Sequence, residues 1–310
     1  MPRRALLIAG LALALAPALA FAQPQEPDIV VTGRRAEEVH AFVGEISATP
    51  QGANQLGVWE RDICPSVTGL SREQGQLIVD RISMRAAAVG LRFGDPGCSA
   101  NVFIFFAADA NAFAQRLFED RREMFAYHRT SAEATRGRAA LDSFLNDPRP
   151  VRWWHVMQFV GADGDRIGDN EARSTSPRPP PPESVGQPPE ADGFADMQAV
   201  RGRASRLRSA QRLDFARAVI IVEGTAVAQT PLNALGDYLA MVTLAQIDPV
   251  AQPTSVPTIL SLFSATEERP TALTSWDIAY LDGLYRAPRD AASASQQISD
   301  ITRRMTENAH

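Results

Sequence analysis

Lysine is missing from this chain of 310 residues, so arginine supplies all 31 of its basic side chains. The absence excludes chemistry that needs a lysine amine, such as Schiff-base formation, Ser-Lys dyads, pyridoxal phosphate attachment and the phosphate-binding P-loop. Basic charge is also in deficit, because 36 acidic side chains give a formal net charge of −5. Nucleic-acid-binding proteins usually carry a basic excess, so we expect no nucleic-acid partner.

Histidine is scarce, with four occurrences at positions 40, 128, 155 and 310. None lies within one helical turn of another, so the usual zinc-ligand spacings are absent. The Gly-x-Ser-x-Gly motif of α/β-hydrolases is absent as well. His155 follows Trp153 and Trp154, where we expect a hydrogen-bonded packing role. These absences predict no cofactor, no metal ion and no catalytic residue.

The first 22 residues have the pattern of a secretory signal peptide. Arg3 and Arg4 precede an apolar run over 5–16, and a small-x-small cleavage site ends at Ala22. The apolar run is shorter than the roughly 20 residues that a helix needs to cross a bilayer, and no later run is long enough. We therefore expect cleavage between Ala22 and Gln23, and a mature protein in the periplasm without a transmembrane segment.

Only two cysteines are present, Cys64 and Cys98. An even count in an exported protein favours a disulfide. Two sulfurs without a Cys-x-x-Cys spacing or a nearby histidine make a poor redox or zinc site. We therefore predict a structural disulfide between Cys64 and Cys98.

Apolar periodicity and turn signals predict helices and strands from position 58 onward. A capping box of Ser71 and Gln74 opens the first helix, and Thr274 with Asp277 opens a later one. The predicted strands are 59–70, 102–107, 151–160, a strand-like stretch over 204–215, and 218–223. The predicted helices are 72–89, 110–127, one from the N-cap Thr230 to 246, 257–263, one starting at Thr274, and a weak one over 293–305.

These elements predict a single α+β domain, with a mixed sheet packed against helices. The two halves of this domain are 58–160 and 197–288. We assign them to one domain because neither half alone has enough strands to form a complete sheet. A Pro-rich acidic insertion separates them over 161–196. We expect a flexible tail over 23–57 and a partly helical tail over 289–310.

Acidic residues crowd the insertion between Asp163 and Glu171. A calcium loop starting at Asp163 would place a glycine, Gly168, at its sixth position, as an EF-hand requires. Ile167 then stands at the fifth position, which needs an oxygen ligand. A solvated acidic loop is the better interpretation.

A short segment after the signal peptide resembles the TonB box of TonB-dependent outer-membrane receptors. It consists of Asp28, Ile29, Val30, Val31, Thr32 and Gly33. The resemblance implies recognition by TonB through an added edge strand, for which the alternating β-branched residues are suited. The remaining chain is too short and too helical for a receptor barrel. TonB or another envelope protein is therefore the expected partner.

Three short sequence segments resemble those of a secreted alphaproteobacterial domain of unknown function with zincin-like architecture. They are Ala100-Asn101-Val102, Leu235-Gly236-Asp237-Tyr238-Leu239-Ala240, and Leu273-Thr274-x-x-Asp277-x-x-Tyr280-Leu281-x-x-Leu284-Tyr285. In zincins the active-site helix carries two histidines one turn apart and a glutamate base. Here the best candidate helix has Asp237, Tyr238 and Met241 instead. The resemblance thus implies a zincin-like frame that has lost its metal site.

Our main hypothesis is a non-catalytic periplasmic protein that acts through protein or peptide contacts at the cell envelope. The first alternative is a hydrolase that uses carboxylates or a metal ion in a cleft beside the 231–246 helix, with Asp237 among the acids. The second is a small-ligand binding protein, in which Trp153, Trp154 and Trp276 line the pocket.

Overall fold

Five strands form one mixed sheet in the part of the chain that the structure describes. The structure is a computed structural model that describes residues 35–127, 132–161, 164, 208–253, 255–265 and 269–307. The strands are β1 (Pro65–Thr68), β2 (Val102–Ala107), β3 (Glu133–Ala134), β4 (Val151–Gly161) and β5 (Gln211–Glu223). Their order across the sheet is β1-β2-β5-β4-β3. The predicted α+β class is confirmed.

Strand β5 is the centre of the sheet. It pairs in parallel with β2 on one side and in antiparallel fashion with β4 on the other. Its apolar run over 218–222 is fully buried, because helices cover both faces of the sheet. Since β5 comes from the second predicted half and its neighbours come from the first, the halves share one sheet and form one domain.

Eight helices pack against the two faces of this sheet within the described residues. They are α1 (Ala36–Ile46), α2 (Arg72–Ala88), α3 (Ala110–Asp120), α4 (Arg138–Asn146), α5 (Gly224–Val227), α6 (Leu232–Leu244), α7 (Ser275–Arg286) and α8 (Ala294–Glu307). The larger hydrophobic cluster contains residues of α1, α2, α6, α7 and α8. The smaller cluster lies on the opposite face, with α3, α4 and a 3-10 turn over Arg122–Phe125.

Both predicted capping boxes are present. Ser71 and Gln74 cap α2 reciprocally, and Thr274 and Asp277 cap α7 in the same way. The predicted N-cap of α6, Thr230, is wrong by one residue. Pro231 occupies that position, and no side chain caps this helix.

The N-terminal tail prediction is wrong from position 36 onward, where α1 begins. Val39, Phe42, Val43 and Ile46 of this helix are completely buried. Their spacing follows one face of a helix, so the segment gains burial that a flexible tail would lack.

The helix predicted over 293–305 is present as α8, but it is not part of a separate tail, because α8 packs against α1 and α7. Ile301 and Met305 are completely buried. The weak apolar stripe of this helix is sufficient for packing, because only one face of α8 contacts the rest of the domain.

Three element boundaries also differ from the predictions. The strand predicted over 59–70 is limited to β1, because Trp59 and Ile63 pack into the core outside regular pairing. The helix predicted over 110–127 ends at Asp120 and is followed by the 3-10 turn. The two stretches predicted at 204–215 and 218–223 are a single strand from Gln211.

Several predicted features lie outside the described residues. They are the signal peptide, the TonB-box-like segment over 28–33, and the Pro-rich insertion apart from Gly161 and Gly164. Among the helices that the structure does describe, none combines the length and apolar character needed to cross a membrane.

The predicted disulfide between Cys64 and Cys98 is confirmed. It joins the residue before β1 to the loop before β2, across a sequence separation of 34 residues. Both segments therefore stay beside the first parallel strand pair.

We expect reduction of this disulfide to lower the free energy of unfolding by about 4 kcal/mol, because the unfolded chain regains the entropy of an open loop of this length. Urea unfolding of the oxidised protein, the reduced protein and the Cys64→Ser/Cys98→Ser double variant measures the loss. Equal stabilities, or two free thiols in mass spectrometry of the unreduced protein, would contradict the prediction.

Candidate functional site

Asp237 does not belong to a cleft with other acids, so this part of the hydrolase hypothesis is wrong. Its side chain is completely buried in α6. The carboxylate accepts hydrogen bonds from Arg81 at 3.0 Å and from Arg85 at 2.7 and 3.0 Å, and from the backbone N–H of Leu273 at 2.9 Å. These contacts tie α2, α6 and the segment before α7 together.

A surface cavity does lie beside the start of α6, with a volume of about 480 Å³. Its walls include Leu70, Phe106, Leu232 and Leu235, and no acidic side chain lines it. This cavity therefore lacks the carboxylates that a hydrolase of the proposed kind would need.

We expect Asp237→Ala to lower the free energy of unfolding by about 3 kcal/mol or more, because it leaves two half-buried guanidinium groups without their carboxylate. Urea unfolding measures the change. The matched control is Asp62→Ala, which breaks the exposed ion pair with Arg92 and should cost less than about 1 kcal/mol. Similar losses for the two variants would refute a structural role for Asp237.

Strand β4 has an inner edge that faces β5 and an outer edge that faces β3. The inner edge is fully occupied by the pairing with β5. The N–H of Glu223 donates to the carbonyl of Pro150 at 2.8 Å. Hydrogen-bonded and non-hydrogen-bonded pairs alternate along an antiparallel ladder. The observed register therefore directs the backbone groups of Arg152, Trp154 and Val156 toward β5.

The outer edge of β4 is only partly covered. The two residues of β3 pair with Met157 and Gln158, and the N–H of Phe159 donates to the carbonyl of Ala132 at 2.9 Å. In the part of the chain that the structure describes, no other strand neighbours this edge. Within the described residues, the backbone groups that Val151, Trp153 and His155 direct outward have no hydrogen-bond partner. All three residues are nevertheless at most 9 % exposed. Buried backbone groups of this kind require a partner, and no described residue supplies one.

A cavity of about 390 Å³ lies in front of this free edge, and we call it the edge cavity. Residues 152–155 of β4 line it at the sheet. One wall is α4, through Ala139, Ala140, Ser143 and Phe144, and the other is formed by Ala48, Gln246, Ile247, Pro249 and Val250. The volume is within the range of sites for small ligands.

Two arginines bridge the walls of the edge cavity. Arg136 precedes α4 and contacts Asp248 at 2.9 Å. Arg149 follows α4 and donates to the carbonyl of Pro249, and it also contacts Asp147 at 3.1 Å. Their side chains are 31 % and 19 % exposed, so both remain accessible from solvent.

A third arginine, Arg152, is only 1 % exposed. It donates to the carbonyl oxygens of Phe144 and Leu145 at the end of α4 and to the side-chain oxygen of Asn111. Its Nε has no hydrogen-bond partner. Burial lowers the pKa of Arg152, although its guanidinium stays charged at neutral pH.

His155 is neutral at the floor of the edge cavity. Its Nε2 lies 2.8 Å from the carbonyl oxygen of Val242, and its ring packs edge-on against Phe215. Burial lowers the pKa of His155 to about 4, and the charge of Arg136 acts in the same direction. The predicted packing role is confirmed.

The three tryptophans of the small-ligand hypothesis are not brought together. Trp153 and Trp154 line the edge cavity, and their indole N–H groups donate to the carbonyls of Ile247 and Phe125 at 3.0 and 3.1 Å. Trp276 packs instead against Phe42, with ring centroids 5.5 Å apart. Only two of the three can contribute to this site.

The chemical groups of the edge cavity favour binding over catalysis. Ser143 donates its hydroxyl hydrogen to Asp147, and the hydrogen bonds from Ser143 and Arg149 hold the pKa of that carboxyl below its usual value, which makes it a weak base. Over the described ranges, no group of three or more His, Cys, Asp or Glu side chains is arranged to hold a metal ion. What the cavity offers is positive charge and unpaired backbone groups.

The three arginines were not predicted as site residues. Arg152 belongs to the alternating strand predicted over 151–160, on the face opposite Trp153 and His155, where a charged residue is ordinary, so it gave no signal of a site. Arg136 and Arg149 gave none either, since only the fold places them at the two ends of one cavity.

Comparisons of the chain with protein-family models, with curated proteins and with solved structures find no match. The zincin-like resemblance and the TonB-box-like segment thus stay predictions.

The pKa of His155 predicts a pH-dependent stability difference. Between pH 6.5 and about 4 an unfolded histidine binds a proton that the folded His155 does not, so stability falls as the pH falls through this window. The stability advantage of the native protein over His155→Gln should shrink by about 3 kcal/mol between pH 7 and pH 4. Urea unfolding at both pH values measures it, and a constant difference would refute it.

Proposed function

We propose that this protein is a non-catalytic periplasmic binding protein that takes a short, extended peptide along the free edge of β4. The observation that carries the proposal is the row of backbone groups on Val151, Trp153 and His155 that have no partner among the described residues. Trp153 and His155 line the edge cavity. An extended peptide satisfies such groups by adding a strand to the sheet.

The dimensions of the edge cavity favour a short peptide. The free edge runs from Val151 to His155, which is about 13 Å of strand. Arg149 lies beyond one end of the free edge. At the other end, the charge of Arg136 lowers the pKa of His155. About three extended residues fit in this length. The walls formed by α4 and the segment over 246–250 limit anything broader.

The disulfide supports the periplasmic part of the proposal, because disulfides persist in oxidising compartments. The signal-peptide pattern at the N-terminus points in the same direction. Val250, which lines the edge cavity and is 60 % exposed, offers an apolar contact to an arriving ligand.

Amide hydrogen exchange measured by NMR tests the proposed binding mode. In the free protein we expect the amides of Trp153 and His155 to exchange faster than those of Arg152, Trp154 and Val156, which donate to β5. Saturation with the tripeptide acetyl-Val-Thr-Val, used both with a free carboxyl end and as its amide, should slow the two outer amides and leave the inner ones unchanged.

Ala139→Trp provides the blocking variant, because Ala139 is an exposed residue of α4 whose side chain lines the edge cavity. It should abolish the peptide-induced protection. Ala87→Trp is the matched control, since Ala87 is an exposed helical alanine on α2. Outer amides that neither form of the tripeptide protects, or protection that survives in Ala139→Trp, would overturn the proposal.

A further inference from the structure

The charge of the edge cavity is one-sided. Among the described residues, three arginines and no acidic residue line it, although the chain as a whole has a net charge of −5. Asp147 and Asp248 contact two of these arginines, but neither carboxylate belongs to the lining. A ligand in the edge cavity therefore contacts arginine side chains directly, while the two paired carboxylates lie outside the lining.

Among the described residues, no carboxylate contacts the guanidinium of Arg152. The charges of Glu223, Asp147 and Asp109 act on it without forming an ion pair, and the oxygens of Glu223 accept from the N–H of Ala110 and the hydroxyl of Thr225. The partners of the Arg152 guanidinium are two backbone carbonyls and one amide, and its Nε has none. A buried cation with neutral partners favours an anion nearby.

The accessible arginines stand where a bound peptide would end. A tripeptide along the free edge of β4 has Arg149 beyond one terminus and Arg136 beyond the other. A carboxylate at either position can accept charge-assisted hydrogen bonds, which are stronger than neutral ones.

We infer that the edge cavity selects peptides that carry a carboxylate at a terminal position. Arg149 or Arg136 binds this carboxylate, and Arg152 adds a positive charge whose hydrogen-bond partners are all neutral. The inference rests on the proposed function. The carboxylate is that of a free C-terminus or of an acidic side chain on the last residue, since both present the same group at this position.

Calorimetric titration with three tripeptides tests the inference. The probes are acetyl-Val-Thr-Val amide, the same peptide with a free C-terminal carboxylate, and acetyl-Val-Thr-Glu amide. We expect at least one carboxylate peptide to bind about tenfold more tightly than the neutral peptide. A gain for the free C-terminus alone assigns recognition of chain ends, and a gain for both assigns recognition of either carboxylate.

Arg149→Gln and Arg136→Gln identify the binding group. We expect the affinity ratio between carboxylate and neutral peptides to fall toward one in at least one of these variants. Arg92→Gln, which removes an exposed arginine paired with Asp62, should keep the native ratio. Circular dichroism checks whether each variant folds. If one arginine variant does not fold, the other still tests the inference.

The outcomes separate this inference from the proposed function. If the neutral peptide binds and protects the outer amides of β4, but no carboxylate improves its affinity, the inference fails and strand addition stands. If no peptide protects those amides, the proposed function fails. An unchanged affinity ratio in both folded arginine variants also overturns the inference.

Discussion

The pairing between β4 and β5 is the interaction on which both the sheet and the candidate site depend. It runs the full length of β4, from Val151 to Gly161, and joins the two halves of the sequence in one sheet. On the other side of β4, the two-residue β3 covers only the far end. Part of the outer edge of β4 is therefore buried but has no neighbouring strand among the described residues. The helix α4 covers this part of the edge without forming backbone hydrogen bonds to it.

A buried strand edge constrains what can fill the space beside it. Apolar side chains there would leave the backbone groups of Trp153 and His155 without partners, at a cost of about 1 to 3 kcal/mol for each group. The edge cavity must accordingly hold a polar group that pairs with them, such as water or a ligand. Most proteins avoid the problem by exposing, charging or covering their sheet edges. Here the charge surrounds the edge, on Arg136, Arg149 and Arg152, and leaves the backbone groups themselves unpaired.

The parts of this fold that local signals specify were predictable from the sequence. The capping boxes at Ser71 and Thr274, the apolar runs of β2 and β5, and the cysteine pair all act over short distances or through composition. The helix α1 was missed because its apolar stripe is narrow and lies in polar surroundings, and for the same reason the packing of α8 into the domain was not predicted. The edge cavity could not be predicted, because it results from the brevity of β3, whose two residues Glu133 and Ala134 carry no strand pattern, and from distant segments meeting beside β4.

Two buried charges of opposite sign show how structural and binding roles differ in this molecule. Asp237 is surrounded by Arg81 and Arg85, so its charge is neutralised within the core and holds three segments together. Arg152 is equally buried, but only neutral oxygens contact it. The carboxylate of Asp237 is closed off from solvent and stabilises the fold, whereas Arg136, Arg149 and Arg152 line the space in front of β4, where their positive charge acts on a ligand. That space is the edge cavity, so the positive charge lies beside the unpaired strand edge. Together these two features favour a ligand that is extended and negatively charged.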